Sequence, residues 1–137
     1  MTEPPAPQLE LSVLAGAFAV CRLPAGSALP PWFQPGPFAT ASWTADEVSL
    51  VCPQAQVPLD AQVRCERDWC CLALHGPIPF QSTGILLRIL QPLARAAIGI
   101  FAISTFDTDY VLVKQASLEA AIYALVGDGH RVERHAG

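Results

Sequence analysis

Charged residues are scarce in this chain, and the few that it has form no basic cluster. Of its 137 residues, 15% are charged and 52% are hydrophobic, and the formal net charge is −4. A chain with this much apolar material can bury a sizeable core, which argues against intrinsic disorder. The absence of a basic patch argues against nucleic acid as the main partner.

The sequence also lacks the usual features of secreted and membrane-spanning proteins. Residues 1–8 are polar and proline-rich, with no basic start followed by an apolar run, so no secretory signal is visible. The apolar run at residues 85–103 is interrupted by Arg88, Pro92 and Arg95, which argues against a membrane span. We therefore expect a cytoplasmic protein.

The five cysteines form neither a disulfide framework nor a zinc motif. Their odd number, with no secretory signal, indicates reduced thiols. Cys65, Cys70, Cys71 and His75 can be drawn as a metal set. Their spacing matches no zinc pattern, however, and neighbours on a strand point to opposite faces. We expect buried or half-buried free thiols, with no metal ion and no cofactor.

No catalytic motif is visible either. The chain has no nucleophile elbow, no phosphate-binding loop and no paired catalytic carboxylates. Cys70 or Cys71 with His75 would supply a nucleophile and a base. Four or five residues along one strand would separate them by ~13 Å or more, beyond the reach of proton transfer. The sequence therefore predicts no catalytic residues and no enzyme.

The second half of the chain predicts the element order βαββαβ. An apolar run at residues 69–75 ends at Gly76-Pro77 and indicates a buried strand. Ser82 or Thr83 is expected to cap a helix that reaches about residue 97. This order is a ferredoxin-like α+β unit with two helices on one face of its sheet. The helix stripe comprises Ile85, Leu86, Ile89, Leu90 and Leu93; the later elements are strands at 100–106 and 110–114, a helix from Ser117 to about residue 126 and a strand at 130–135.

The first half is less regular, with 10 of the 13 prolines before residue 60. It nevertheless aligns with the second half without gaps. In this alignment Leu9 matches Leu72, and Asp46 matches Asp109. We interpret the chain as two tandem ferredoxin-like (βαββαβ) subdomains, at residues 8–60 and 61–135. The first is degenerate, because its prolines prevent long helices.

The segment "GILLRILQPLARAAIGIFAISTFDTDYVLVK", residues 84–114, resembles the ACT-domain family. The resemblance is to small bacterial ACT proteins related to the CASTOR-type arginine sensors, and it covers nearly all of residues 8–130. Its most specific part is the run from Ile103 to Phe106 followed by Asp109. The resemblance implies two ACT-type subdomains with a regulatory role. Proteins of this family bind small molecules, mostly amino acids, at interfaces between paired domains.

The resemblance also implies a ligand site. At the start of the first helix, backbone N–H groups and the helix dipole would attract the ligand's carboxylate. Asp109 matches the family aspartate that faces the ligand's cationic group, whereas Asp107 is explained by its turn alone. A partner domain would add backbone at the start of the second strand. The implied ligand-binding residues are Ser82, Thr83, Gly84, Ile85, Gly99, Ile100, Thr105, Phe106 and Asp109.

The ligand and the assembly stay open at this point. Arginine sensors, as the resemblance suggests, have added acidity near the helix start, where this chain has uncharged Gln81 and Ser82. A smaller or apolar amino acid therefore fits as well as arginine. The alternative function is a ligand-free protein–protein association module. A homodimer is expected in preference to a monomer, because ferredoxin-like sheets leave edges that need cover.

Overall fold

The computed structural model describes residues 8–79 and 82–134, whose strands join in one mixed sheet. Short 3-10 turns lie at Gln54–Gln56 and Gln115–Ser117, and the protein is of the α+β class. Neither helix of the described residues has the length and apolar character to cross a membrane. In chain order the elements are β1 (Glu10–Val13), β2 (Phe18–Pro24), β3 (Thr40–Trp43), β4 (Glu47–Pro53), β5 (Arg64–Leu74), α1 (Ile85–Arg95), β6 (Ile100–Ser104), β7 (Asp109–Lys114), α2 (Leu118–Gly127) and β8 (Arg131–Glu133).

From β5 onward the elements follow the predicted order βαββαβ, which fits a ferredoxin-like ACT fold. The predicted helix cap is wrong, however. Gly84 occupies the N-cap of α1 in the left-handed conformation, with φ 74°, and no side chain makes a capping hydrogen bond. Ser82 and Thr83 therefore precede the cap. Residue 135, the predicted end of the last strand, lies outside the described residues.

Strand β5 is the longest strand and organises the sheet. One of its edges pairs with β2 and then with β1, both antiparallel, and its other edge pairs with β7. β1 pairs on its far side with β8, in parallel. β1 thus lies between two strands of the C-terminal unit, although sequence reasoning assigns its residues to the first subdomain.

A bulge in β5 changes which side chains face each side of the sheet. Between the pairs Phe18–Trp69 and Val20–Glu66, β2 advances by two residues while β5 advances by three. Asp68 takes up the extra residue with φ 66°. Side chains alternate along a strand, so one extra residue inverts the alternation. Both halves of β5 consequently present apolar side chains to the same outer face.

Three apolar clusters form the core. Two lie on the outer face, one beneath α1 and α2 and one beneath the loops of the first half. The third lies on the inner face, where the hairpins β3–β4 and β6–β7 approach each other. There the rings of Phe38 and Tyr110 have centroids 4.3 Å apart. The buried members of the inner cluster are Phe18, Phe38, Val51, Cys71 and Leu112.

The first half covers its sheet without long helices. Residues 25–39 lie between β2 and β3, and all of them are described; they form turns and extended loops with no helix. The 3-10 turn Gln54–Gln56 stands where a second helix would be. Trp32 and Phe33 pack against the outer cluster of this half instead. The prolines of this segment explain the missing helices, as the sequence predicts.

The two hairpin turns share one hydrogen-bond pattern. The Thr44 N–H donates to the Glu47 carbonyl at 2.9 Å, and the Thr105 N–H donates to the Thr108 carbonyl at 2.8 Å. Thr44 and Thr105 therefore correspond. By the same register Asp46 corresponds to Asp107, so its predicted match with Asp109 is wrong. The connections between elements differ in length between the two halves, and an alignment without gaps cannot account for that difference.

Replacement of Asp68 tests the bulge. The Gln54 Nε2 donates to Asp68 Oδ1 at 3.0 Å, and Asp68 N–H donates to Gln54 Oε1 at 2.5 Å. Asp68→Ala loses the first hydrogen bond. Its Cβ stays at positive φ, with no side-chain hydrogen bond to offset the strain. We expect it to lower the free energy of unfolding, measured in urea, by about 1–2 kcal/mol.

Two further variants serve as controls for this prediction. Asp68→Gly loses the same hydrogen bond but adopts positive φ freely, so it should be less destabilised than Asp68→Ala. Asp68→Asn keeps both features and should unfold close to the parent. Equal destabilisation by glycine and alanine would show that the backbone conformation at residue 68 contributes nothing.

Candidate functional site

The start of α1 presents backbone N–H groups that lack a partner within the helix. Ser82, Thr83 and Gly84 are all exposed, and the first intrahelical bond runs from the Arg88 N–H to the Gly84 carbonyl at 3.1 Å. The first turn contains no acidic residue to balance the dipole. This helix end can therefore accept an anion such as a carboxylate.

Glycine is required before α1 for conformational reasons. Gly84 has φ 74°, and a Cβ added there would meet no atom within 4 Å. The constraint is the left-handed backbone and not the space around it. An open approach to the backbone at this point is what a ligand carboxylate would need.

The β6–β7 turn places a carboxylate at the same edge of the sheet. Asp109 is half-buried at the start of β7, and its Oδ1 accepts a hydrogen bond from Ser104 Oγ at 2.5 Å. The turn is tied to the segment that leads into α1. Thr108 Oγ1 donates to the Leu74 carbonyl at 2.8 Å, and the Ile78 N–H donates to the Asp107 carbonyl at 2.7 Å.

The predicted ligand residues lie on three separate segments. The turn with Thr105, Phe106 and Asp109 is hydrogen-bonded to residues 74 and 78, in the segment that leads toward residues 82–85. Gly99 and Ile100 lie at the opposite end of β6, six and five residues from Thr105, which is ~17 Å or more at strand rise. They can join the site only from another domain, as the family resemblance implies. Gln81 lies outside the described residues.

Two predicted site residues belong to the core. The Ile85 and Ile100 side chains pack against the outer cluster beneath the helices. Any contact of these residues with a ligand would therefore use the backbone. Thr105 donates its hydroxyl to the Thr108 carbonyl at 3.2 Å, and the Phe106 side chain is 78% exposed. A hydroxyl and an aromatic ring thus lie at the outer rim of this edge.

His75 takes part in a polar network that sequence reasoning did not detect. Its Nε2 lies 2.5 Å from Ser12 Oγ, and its Nδ1 lies 3.4 Å from Glu10 Oε2. This order matches that of a hydrolytic triad, but such a triad also needs free N–H donors for an oxyanion. β1 pairs on both edges, with β5 and β8, so its backbone donors are engaged. The network links β1 to β5.

The buried thiols are poor nucleophiles. Burial raises the pKa of Cys71 to about 12 and that of Cys52 to about 11. It also raises the pKa of Cys70. The thiolate is the reactive form, so these three groups react slowly at neutral pH. Among the described residues, no three histidine, cysteine or acidic side chains are grouped to hold a metal ion.

A concave region lies between the inner faces of the two hairpins. A cavity of about 450 Å³ is lined by Arg22, Ser49, Arg64 and Phe101 among others. A neighbouring cavity of about 280 Å³ shares Ser49 and Phe101 and adds Thr40. Sequence reasoning missed this region because strand register, which no local pattern reveals, brings its residues together.

Family models and solved structures place the chain among known proteins. The ACT domain model matches residues 64–126, and a model for an N-terminal domain matches residues 16–60. The chain is 38% identical to protein Atu0741 of Agobacterium tumefaciens. That structure superimposes with a TM-score of 0.88, over 96% of this chain and 97% of the other.

Two more distant structures show the same fold. The regulatory subunit of aspartate kinase from Thermus flavus is 10% identical, with a TM-score of 0.60 over 86% of this chain and 95% of that one. Aspartate kinase of Clostridium acetobutylicum is 14% identical, with a TM-score of 0.64 over 82% of this chain. The match covers 33% of the kinase, so the chain spans a third of that protein. Residues 64–126 of the chain thus belong to the ACT domain family.

Proposed function

We propose that this protein is an amino-acid sensor whose ligand binds where α1 begins beside the β6–β7 turn. One observation carries the proposal: the first turn of α1 contains no acidic residue, and the segment that leads toward α1 is hydrogen-bonded to the turn that precedes the half-buried Asp109. An α-amino acid carries the complementary pair of groups. Its carboxylate would accept from the helix N–H groups, and its ammonium would donate to Asp109.

The chain organisation supports a domain-interface site. We take the first half as a degenerate ACT-type subdomain, because its β3–β4 hairpin repeats the turn pattern of β6–β7. The backbone at Gly99 and Ile100 would then complete the site from a partner domain. The kinship with CASTOR-type sensors is part of this proposal, as are a cytoplasmic location and the lack of catalytic activity.

A ligand-free association module is the second candidate. Tyr123 and Val126 on α2 are 83% and 53% exposed, and such apolar side chains suit a contact with another protein. A thermal-shift screen against the twenty common amino acids separates the two functions. A sensor is stabilised by its ligand through mass action, and an association module is stabilised by none of them.

Charge removal at Asp109 tests the site. Asp109→Asn keeps the side-chain shape and removes the charge, so a charge-assisted hydrogen bond to the ligand becomes neutral. With the amino acid that the screen selects, calorimetry should show binding weakened by roughly ten- to a hundredfold.

Asp107→Asn is the matched control, because its carboxylate is assigned to the turn and affinity should change far less. Thr83→Ala should also have a small effect, since backbone N–H groups survive the change. If Asp107→Asn is the variant that fails, or if Asp109→Asn binds like the parent, the site is wrongly assigned.

Light scattering tests whether a second copy completes the site. At high protein concentration we expect a particle with twice the chain mass of 14.6 kDa. The reason is that Gly99 and Ile100 lie too far from the turn to contribute within one ACT domain. The mass of a single chain at every concentration would contradict the homodimer.

A further inference from the structure

Two arginines are placed directly opposite each other on the inner face of the sheet. Arg22 on β2 and Arg64 on β5 are register partners. Arg22 lies two residues after Val20, and Arg64 lies two residues before Glu66, so each arginine shares the face of its reference residue. Both side chains therefore point toward the cavity of about 450 Å³ that they line. Like charges directly opposite on paired strands repel each other. A fold retains such a pair at a cost unless something neutralises it.

No carboxylate of the described residues neutralises these guanidinium groups. The ion pairs of that part of the chain include neither arginine. Arg22 Nη2 donates to the Asp46 carbonyl at 3.1 Å, which is a neutral acceptor. Glu66 also lines the cavity, but its carboxylate pairs with Lys114 at 3.3 Å. The Arg64 fork and the remaining donors of Arg22 therefore face the cavity without a carboxylate partner among the described residues, and a guanidinium fork suits bidentate binding of an anion.

The rest of the lining restricts the class of anion. Glu47 lines the same cavity and makes no ion pair with the described residues, so a cationic group would be accepted beside the anionic one. Phe101 and Ser49 connect to the neighbouring cavity of about 280 Å³. We propose that this cavity is a second ligand site, which takes a small amino-carboxylate with its carboxylate on Arg22 and Arg64. The site is separate from the Asp109 edge and does not depend on it.

NMR titration of the arginine Nε–Hε signals tests the site directly. The probes are alanine with both charged groups, propionate with the carboxylate alone, and inorganic phosphate. We expect saturable shifts of Arg22 and Arg64 with alanine and about tenfold weaker binding of propionate, which lacks the group that Glu47 accepts. Equal shifts of all arginines, or no saturation, would overturn the site. Tighter binding of phosphate than of alanine would overturn the ligand class.

Three variants test whether Arg64 binds the ligand or has only a structural role, and whether the cavity site is independent of the Asp109 edge. Arg64→Gln should raise the thermal midpoint of the unliganded protein by about 1–4 °C, because it removes the repulsion, and should abolish the alanine shifts. Arg64→Lys keeps the charge but not the fork, so its midpoint should stay low while binding weakens. Asp109→Asn should leave the Arg22 and Arg64 shifts unchanged. A lower midpoint in Arg64→Gln would contradict the proposal.

An independent observation concerns two cysteines on the opposite face of the same strand pair. Cys21 and Cys65 are register partners on β2 and β5, and their Sγ atoms are 2.7 Å apart. Antiparallel partners have Cα atoms ~4.5–5.5 Å apart, which lies within the range that a disulfide spans. We infer that these two free thiols form a reversible disulfide when a disulfide oxidant such as oxidised glutathione is present.

The exchange proceeds in two balanced steps. Cys65 is half-buried, and its thiolate attacks one sulfur of oxidised glutathione, forming a mixed disulfide and releasing one glutathione thiolate. Cys21 then loses its proton and attacks Cys65 Sγ, which releases the second glutathione. Burial and its hydrogen bond to Cys65 raise the pKa of the Cys21 thiol and keep it from attacking first, and the effect of that hydrogen bond disappears once Cys65 is in the mixed disulfide. The product links the two strands that join the halves of the sheet.

Thiol counting in denaturant tests the disulfide. After treatment with oxidised glutathione, the five titratable thiols per chain should fall to three, and peptide mapping should join residues 21 and 65. Cys52→Ser, the matched control beside the pair, should still lose two thiols. Cys21→Ser and Cys65→Ser should form no internal disulfide. Loss of no thiols in the parent, or a bond that involves Cys52, would overturn the inference.

Discussion

The bulge at Asp68 is the constraint on which the rest of the sheet depends. One strand, β5, serves both halves of the chain, and the extra residue allows each half to bury its own apolar side chains on the outer face. The left-handed conformation of Asp68 costs about 1–2 kcal/mol. Two hydrogen bonds with Gln54, at about 0.5–1.5 kcal/mol each, offset that cost. Without the bulge, Cys65 would turn its side chain to the inner face, away from the outer cluster of the first half.

The same strand contributes to the position of both candidate sites. Beyond the bulge, β5 leads into the segment that is tied to the β6–β7 turn and then into α1, so the helix start and Asp109 share one edge. Before the bulge, β5 pairs with β2 and places Arg64 beside Arg22 on the inner face. A regulatory ACT protein needs ligand contacts that are coupled to its domain packing. Here Arg64 of the inner-face site lies on the strand that joins the two halves, and the Asp109 edge is tied to the segment that follows this strand.

Local patterns predicted the C-terminal unit well. The apolar stripe of α1 has a helical period, and Ile89 and Leu93 are fully buried as that period implies. The start of α1 could not be predicted. Serine and threonine are common caps and therefore attract the prediction, whereas the left-handed conformation of Gly84 depends on the loop that enters the helix. β1 could not be placed either, since its pairing with β5 and β8 is non-local. The inner cavity depends on register across three strands, and the bulge that sets this register has no sequence signal.

The central claim is that an amino acid binds at the edge shared by α1 and the β6–β7 turn. Hydrogen–deuterium exchange, with and without the amino acid that stabilises the protein most, tests it most directly. A ligand that accepts from the helix N–H groups and donates to Asp109 should slow exchange at residues 85–87 and 105–109, relative to α2 as an internal reference. Ligand-dependent protection elsewhere, with these two segments unchanged, would contradict the account.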